Sequence, residues 1–149
     1  MILYADASAL VKRYVAEHGS AEVIALTSDA EAVATAIISR AEVAAALARS
    51  VRLGIIDENG GRRAQRRFTQ EWPDLVKLPI TEALVVRAES LAWEYGLRGY
   101  DAVQLASALT WKDSVAADVT LATFDRDLWD AAPHAGLRAW PDKLPRARR

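Results

Sequence analysis

Four carboxylates stand out along the 149-residue chain, each where an apolar segment gives way to a helical one. Asp6 lies in ILYADASALVKRY, Glu42 in IISRAEVAAALA, Asp101 in LRGYDAVQLASAL and Asp125 in VTLATFDRDLW. An ionised carboxylate beside apolar sequence is costly unless something positive compensates it. If the strands run parallel, such junctions meet at the sheet edge where α/β proteins bind ligands. Four carboxylates gathered there repel one another, and a hard divalent cation relieves that repulsion. Oxygen donors point to Mg²⁺ or Mn²⁺. His18 and His134 stand far from these motifs and the chain has no cysteine, which argues against zinc. The chemistry open to such a set is metal-assisted catalysis.

Taken singly, a helix cap explains each acid better than a metal does. Asp6, Asp101 and Asp125 each precede or open a helical stretch, although Ser8 could cap the first one equally well. Ser39-x-x-Glu42 has capping-box spacing, which satisfies two helix-end donors with no ion at all. The balance shifts when the four are taken together, because caps need not all be acidic. At the fourth position TFDRDL offers both Asp125 and Asp127, with Asp118 upstream. Asp125 follows the strand directly, whereas Asp127 lies roughly 200° further round the helix. Asp125 is the preferred candidate.

The elements that must position these acids alternate. MILYA reads as a buried strand, and residues 8–18 show helical spacing with Leu10, Val11, Tyr14 and Val15 on one face. A second helix is expected over roughly 20–30, a strand over AVATAIIS, and an alanine-rich helix over 39–53, stopped by Gly54. A charged helix over 57–71, a strand in LVKLPI and a helix from Thr81 to about Tyr95 follow. Gly96 and Gly99 frame a turn into a helix over 101–112; VTLAT, DRDLWDAA and GLRAW read as strand, helix and strand. This alternation predicts an α/β fold, a mainly parallel central sheet with helices on both faces, in three layers. One domain is expected over 1–141, with a basic, flexible tail over 142–149 that includes Arg146, Arg148 and Arg149.

Bulk properties narrow the class. Half the residues are apolar and a quarter charged, as in globular proteins, and no apolar run is long enough to span a membrane. Without a leader-like start, a cytoplasmic protein is expected. A formal net charge of −1 counts against a dedicated nucleic-acid-binding module but not against an enzyme with a local basic patch.

YADASALVKRY, SRAE before an alanine-rich helix, RGYDAVQLASAL and LATFDRDL together resemble the PIN-domain ribonucleases, most closely the VapC-type toxins. The likeness runs from Ile2 to Trp129, with the motifs in the family's order. It implies a PIN fold, a divalent metal (Mg²⁺ or Mn²⁺), endonucleolytic RNA cleavage leaving 5′-phosphate ends, a homodimer and a cognate VapB-type antitoxin. It also implies a metal site at Asp6, Glu42, Asp101 and Asp125, supported by Ser8 and Thr123. Asp6 and Asp101 are assigned to direct ligation. Glu42 and Asp125 are assigned to ligation through water or to positioning the nucleophile.

Outside the acids the signals are weaker. Arg62, Arg63, Arg66 and Arg67 form either an RNA-backbone ridge or a solvated face balanced by Glu58 and Glu71. Arg62 and Arg66, with Lys12 and Arg13 on the first helix, are the candidate backbone contacts. Trp93, Trp111 and Trp129 fall at core spacing; Trp72 and Trp140 flank prolines. Apolar positions around Val23, Ile24 and Leu26, or near Trp72, are candidates for a dimer interface. Two alternatives stay open: a catalytically silent PIN-fold binding partner, and a haloacid-dehalogenase-type phosphatase. The second wants an Asp where this chain has Ser8.

Overall fold

A computed structural model describes residues 1–144. Arg146, Arg148 and Arg149 of the expected tail lie outside the described residues. β1 (Ile2–Ala5) is a short apolar strand, buried almost throughout, as strands covered on both faces are. It pairs in parallel with β2 (Ala32–Ala36) on one side and β4 (Val119–Ala122) on the other. β3 (Val76–Leu78) extends the sheet beyond β2, and β5 (Arg138–Trp140) beyond β4, again in parallel. The order is β3-β2-β1-β4-β5, so the direction of winding reverses at β1. Crevices outside the carboxyl ends of strands at such a reversal are where open α/β sheets bind ligands.

The helices are α1 (Ala7–Leu10), α2 (Ser20–Asp29), α3 (Ser39–Arg52), α4 (Glu58–Glu71), α5 (Glu82–Tyr95), α6 (Gly99–Val115) and α7 (Arg126–His134). Period-2 alternation in β1 divides the core. Leu3 and Ala5 face a cluster with Leu10, Val43, Leu47 and Phe68. Tyr4 faces the opposite one, with Leu84, Leu105 and Leu128. The helices α1, α3 and α4 therefore cover one face and α5 to α7 the other, giving the expected three layers. No helix among the described residues is long and apolar enough to cross a membrane.

Three local expectations change. The helix expected over 8–18 is shorter: α1 passes into a 3₁₀ turn at Val11–Arg13 and ends there. The following loop is held by its own polar groups, with Ser20 Oγ donating to the Val15 carbonyl and Lys12 Nζ to that of His18. Val15 still enters the core, so the apolar spacing is used without a helix. Gly99, expected in a turn, opens α6. Trp93, expected in the core, is 87% exposed. α5 buries Leu84, Ala88 and Leu91, and Trp93 stands two residues past Leu91, on the opposite face. Of the residues considered for an interface, Val23 and Trp72 are buried within the chain, and Trp72 packs edge-on against Phe68.

Candidate active site

Asp6 is the first residue after β1, at the point of reversal. It is 5% exposed and N-caps α1, its Oδ1 accepting from the Ala9 backbone N–H (3.0 Å) and from Ser8 Oγ (2.7 Å). Its Oδ2 accepts from Thr123 Oγ1 at 2.6 Å. Burial pushes its carboxyl from an ordinary 3.8 up to about 6, against the pull of those hydrogen bonds and with help from the charge of Glu42. Ser8 and Thr123 also bind the loop after β4: Ser8 Oγ accepts from Phe124 N–H (2.8 Å) and Thr123 Oγ1 from Asp125 N–H (3.0 Å). The two hydroxyls thus clamp the loops that carry Asp6 and Asp125 together.

Glu42 sits in the first turn of α3, half-buried. The capping box that its spacing suggests does not form. The residue at the cap position is Ile38, with no side-chain bond. Ser39 instead accepts from Thr35 Oγ1 (2.7 Å) and Gln104 Nε2 (3.0 Å), and Glu42 Oε1 accepts from Gln104 Nε2 at 2.7 Å. Burial raises the Glu42 pKa, the Gln104 bond opposes it, and the charge of Asp101 adds to it. Asp101, in the first turn of α6, is likewise raised, by burial first and by the charge of Asp125 second. Asp125 caps α7 through Oδ1, which accepts from Leu128 N–H at 3.0 Å.

Capping therefore explains Asp6 and Asp125 in part, and Glu42 and Asp101 not at all. Electrostatically the four form a row, since Asp6 feels Glu42, Glu42 feels Asp101, and Asp101 feels Asp125. Arg98 closes one end: its Nε donates to Asp101 Oδ2 and its Nη2 to Asp125 Oδ2, both at 3.1 Å, with the side chain 75% exposed. No group of three or more His, Cys, Asp or Glu among the described residues already stands close enough to hold an ion. Four linked carboxylates are nevertheless the oxygen-donor chemistry a hard divalent cation needs, and the exposed Arg98 occupies two of them as a cation itself. A cavity of about 750 Å³ opens beside Glu42 and Asp101, walled by Val85, Ala88, Tyr100 and Val103. Asp127 is exposed, and Asp118 lies before β4, at the far end of that strand. His18 and His134 are exposed and away from the site.

The PIN domain family model matches residues 3–133. The chain belongs to the PIN-domain family. Within it, the chain is 35% identical over 143 residues to Ribonuclease VapC45 of Mycobacterium tuberculosis, covering 96% of this chain and 97% of that protein. Among solved structures, PAE2754 from Pyrobaculum aerophilum superposes with a TM-score of 0.65 at 24% identity, covering 93% of this chain and 83% of that one. A toxin–antitoxin complex from Klebsiella pneumoniae gives 0.61 at 19% identity, covering 85% and 89%. These structures share the PIN fold. Membership in the PIN family leaves the dehalogenase-type alternative without support, and Ser8, where that chemistry wants an acid, is committed to Asp6.

The candidate RNA contacts of this PIN domain divide. Lys12 is engaged by Glu17 and His18 and lies over the Phe124 ring. Arg13 is engaged by Thr27 and Glu71. Arg62 pairs with Glu58 and Arg67 with Glu71, which is the balanced face weighed above. Arg63 and Arg66 are exposed and belong to neither pair. Sequence reasoning missed Arg98, Gln104 and Tyr4. The first is the arginine that opens RGYD, three residues before Asp101, and the other two look like ordinary strand and helix residues until the chain is folded.

Proposed function

We propose that this PIN domain is a Mg²⁺- or Mn²⁺-dependent endoribonuclease and the toxin of a VapBC-type toxin–antitoxin pair, acting in the cytoplasm as a homodimer. The observation that carries this reading is the row Asp6–Glu42–Asp101–Asp125 outside the carboxyl ends of the strands, with Asp6 buried at the reversal of winding and pushed up to about 6 by that burial. The name of VapC45 supports the ribonuclease activity, and the toxin–antitoxin complex from Klebsiella pneumoniae supports an antitoxin partner.

Asp6 and Asp101 would hold the ion directly, and Glu42 and Asp125 through water. The ion would supply Lewis acidity and neutralise charge at the phosphate. Ser8 and Thr123 fix both Asp6 oxygens, so that carboxylate does not rotate away. Glu42, raised by burial, is suited to take a proton from an attacking water. Exposed Arg63 and Arg66 offer phosphate contacts on α4. An antitoxin would be recognised by a basic side chain entering the acidic row, as an arginine pairs with carboxylates.

A thermal-shift titration with Mn²⁺, run beside an RNA-cleavage assay, tests the reading. Wild type should melt higher as Mn²⁺ rises and should cleave RNA. Asp6→Asn and Asp101→Asn should lose both responses while melting no lower than metal-free wild type. Indifference to Mn²⁺ together with a lower melting point in both variants would return these acids to helix capping.

A further inference from the structure

The side chain that orients Glu42 comes from the helix that supplies Asp101. Gln104 lies three residues after Asp101 on α6, hence on the same face, and is 2% exposed. Its amide is fixed in one sense by a directed chain of donors. The Ala36 backbone N–H donates to Tyr4 Oη (3.0 Å), so the Tyr4 hydroxyl proton is free to donate to Gln104 Oε1 (2.5 Å). That leaves Nε2 to donate, and it does so to Ser39 Oγ (3.0 Å) and Glu42 Oε1 (2.7 Å). Tyr4 is fully buried, two residues before Asp6 in β1. Four elements meet in this chain: β1 through Tyr4, β2 through Ala36, α3 through Ser39 and Glu42, and α6 through Gln104.

We propose that Gln104, locked by Tyr4, is a positioning residue that holds one oxygen of Glu42 and so directs the other into the acidic row. The proposal rests on the metal site proposed above. A buried amide with its acceptor already committed has no rotamer that keeps Tyr4 and releases Glu42, so the carboxylate inherits the rigidity of α6 and β1. An apolar residue of similar length would fill the space equally well, and leucine or methionine would suit a helix buried over Gln104 to Leu109. The polar choice at this position is explained by its three partners, Tyr4, Ser39 and Glu42.

The test measures Mn²⁺ affinity by isothermal titration on wild type, Gln104→Met, Glu42→Gln, their double variant and Tyr4→Phe, with Asp101→Asn as the control for the site itself. Folding is checked by circular dichroism, and Tyr4→Phe carries the test should Gln104→Met fail to fold. Loss of a hydrogen-bonding partner behind a metal ligand typically costs 10–100-fold in affinity. Gln104→Met should weaken Mn²⁺ binding by about ten-fold, and Tyr4→Phe by less. In the Glu42→Gln background the Gln104 substitution should have no further effect on affinity, because its path to the metal is already cut. Equal affinity in wild type and both network variants, or additive losses in the double variant, would overturn the proposal while Asp101→Asn still abolishes binding. Unchanged binding in Asp101→Asn would instead sink the metal site and this proposal with it.

Discussion

Arg98 places a positive charge where the acidic row needs one, and it holds Asp101 and Asp125 by two bonds of 3.1 Å. Because its side chain is largely exposed, those bonds are screened and readily exchanged for a divalent ion. Arg98 is then a competitor of the metal. Arg98→Gln should tighten Mn²⁺ binding by about five-fold in a titration at low salt, and Arg98→Lys, a point charge without the fork, should fall between. Weaker Mn²⁺ binding in Arg98→Gln would make the arginine a support of the site instead. The Asp101 half of this pairing is a local i,i+3 contact, but no local pattern announces the Asp125 half, 27 residues from Arg98. The same holds for Gln104 and Glu42, 62 residues apart. The four acids were legible from the residues immediately around them: Asp6, Glu42 and Asp125 closely follow a strand, whereas Asp101 opens a helix that follows another helix, α5, and not a strand. Ser8 and Thr123, the partners of Asp6, came with the family resemblance, but Gln104 and the Arg98–Asp125 contact did not, because a hydrogen bond across the fold leaves no spacing in the chain. The Ser39-x-x-Glu42 box failed for that reason too: Gln104 offers both side chains a buried donor that the local cap cannot match.

The junction of α3 and α4 turns on one glycine. A Cβ on Gly61 would stand 2.5 Å from Val51 Cγ2, closer than packed carbons approach. Val51 is β-branched and has few rotamers with which to yield. Alanine would improve helix propensity in the interior of α4, yet overpacking costs more than that gain. Gly61→Ala should therefore lower stability by about 1 kcal/mol in urea denaturation. Gly99→Ala should raise it by about 0.5 kcal/mol, since Gly99 is helical and a Cβ there meets nothing within 4 Å. Opposite signs for two helical glycines would show that packing, and not propensity, sets the α3–α4 approach. Alternation of strand and helix foretold every strand and the long helices, because each has its own apolar period. It misplaced the end of α1 and the side of α5 that carries Trp93. In both places the period of apolar residues was real, but tertiary contacts decided which of them reached the core.

Over the whole molecule, the acidic row makes stability depend on pH in a direction that the metal reverses. Without metal, Asp6 titrates near 6 in the folded chain and near 3.8 unfolded. The folded state thus binds its proton more tightly, and the stability this contributes is complete below about pH 4 and lost as pH rises through 6. A rise of that size corresponds to roughly 3 kcal/mol for a group as buried as Asp6. Glu42 and Asp101 are raised as well and act in the same direction. Metal-free wild type should accordingly lose stability between pH 4 and pH 7 relative to Asp6→Asn, whose neutral amide has no charge to bury. With saturating Mn²⁺ the sign changes, because the ion binds only the ionised row, and wild type should gain on the variant as pH rises. Melting curves at pH 4.5, 6 and 7.5, with and without Mn²⁺, read both slopes. Parallel wild-type and Asp6→Asn profiles in the absence of metal would mean that the carboxylates are already compensated within the fold, by Arg98 and the clamping hydroxyls, and that the row carries no stored repulsion for an ion to relieve.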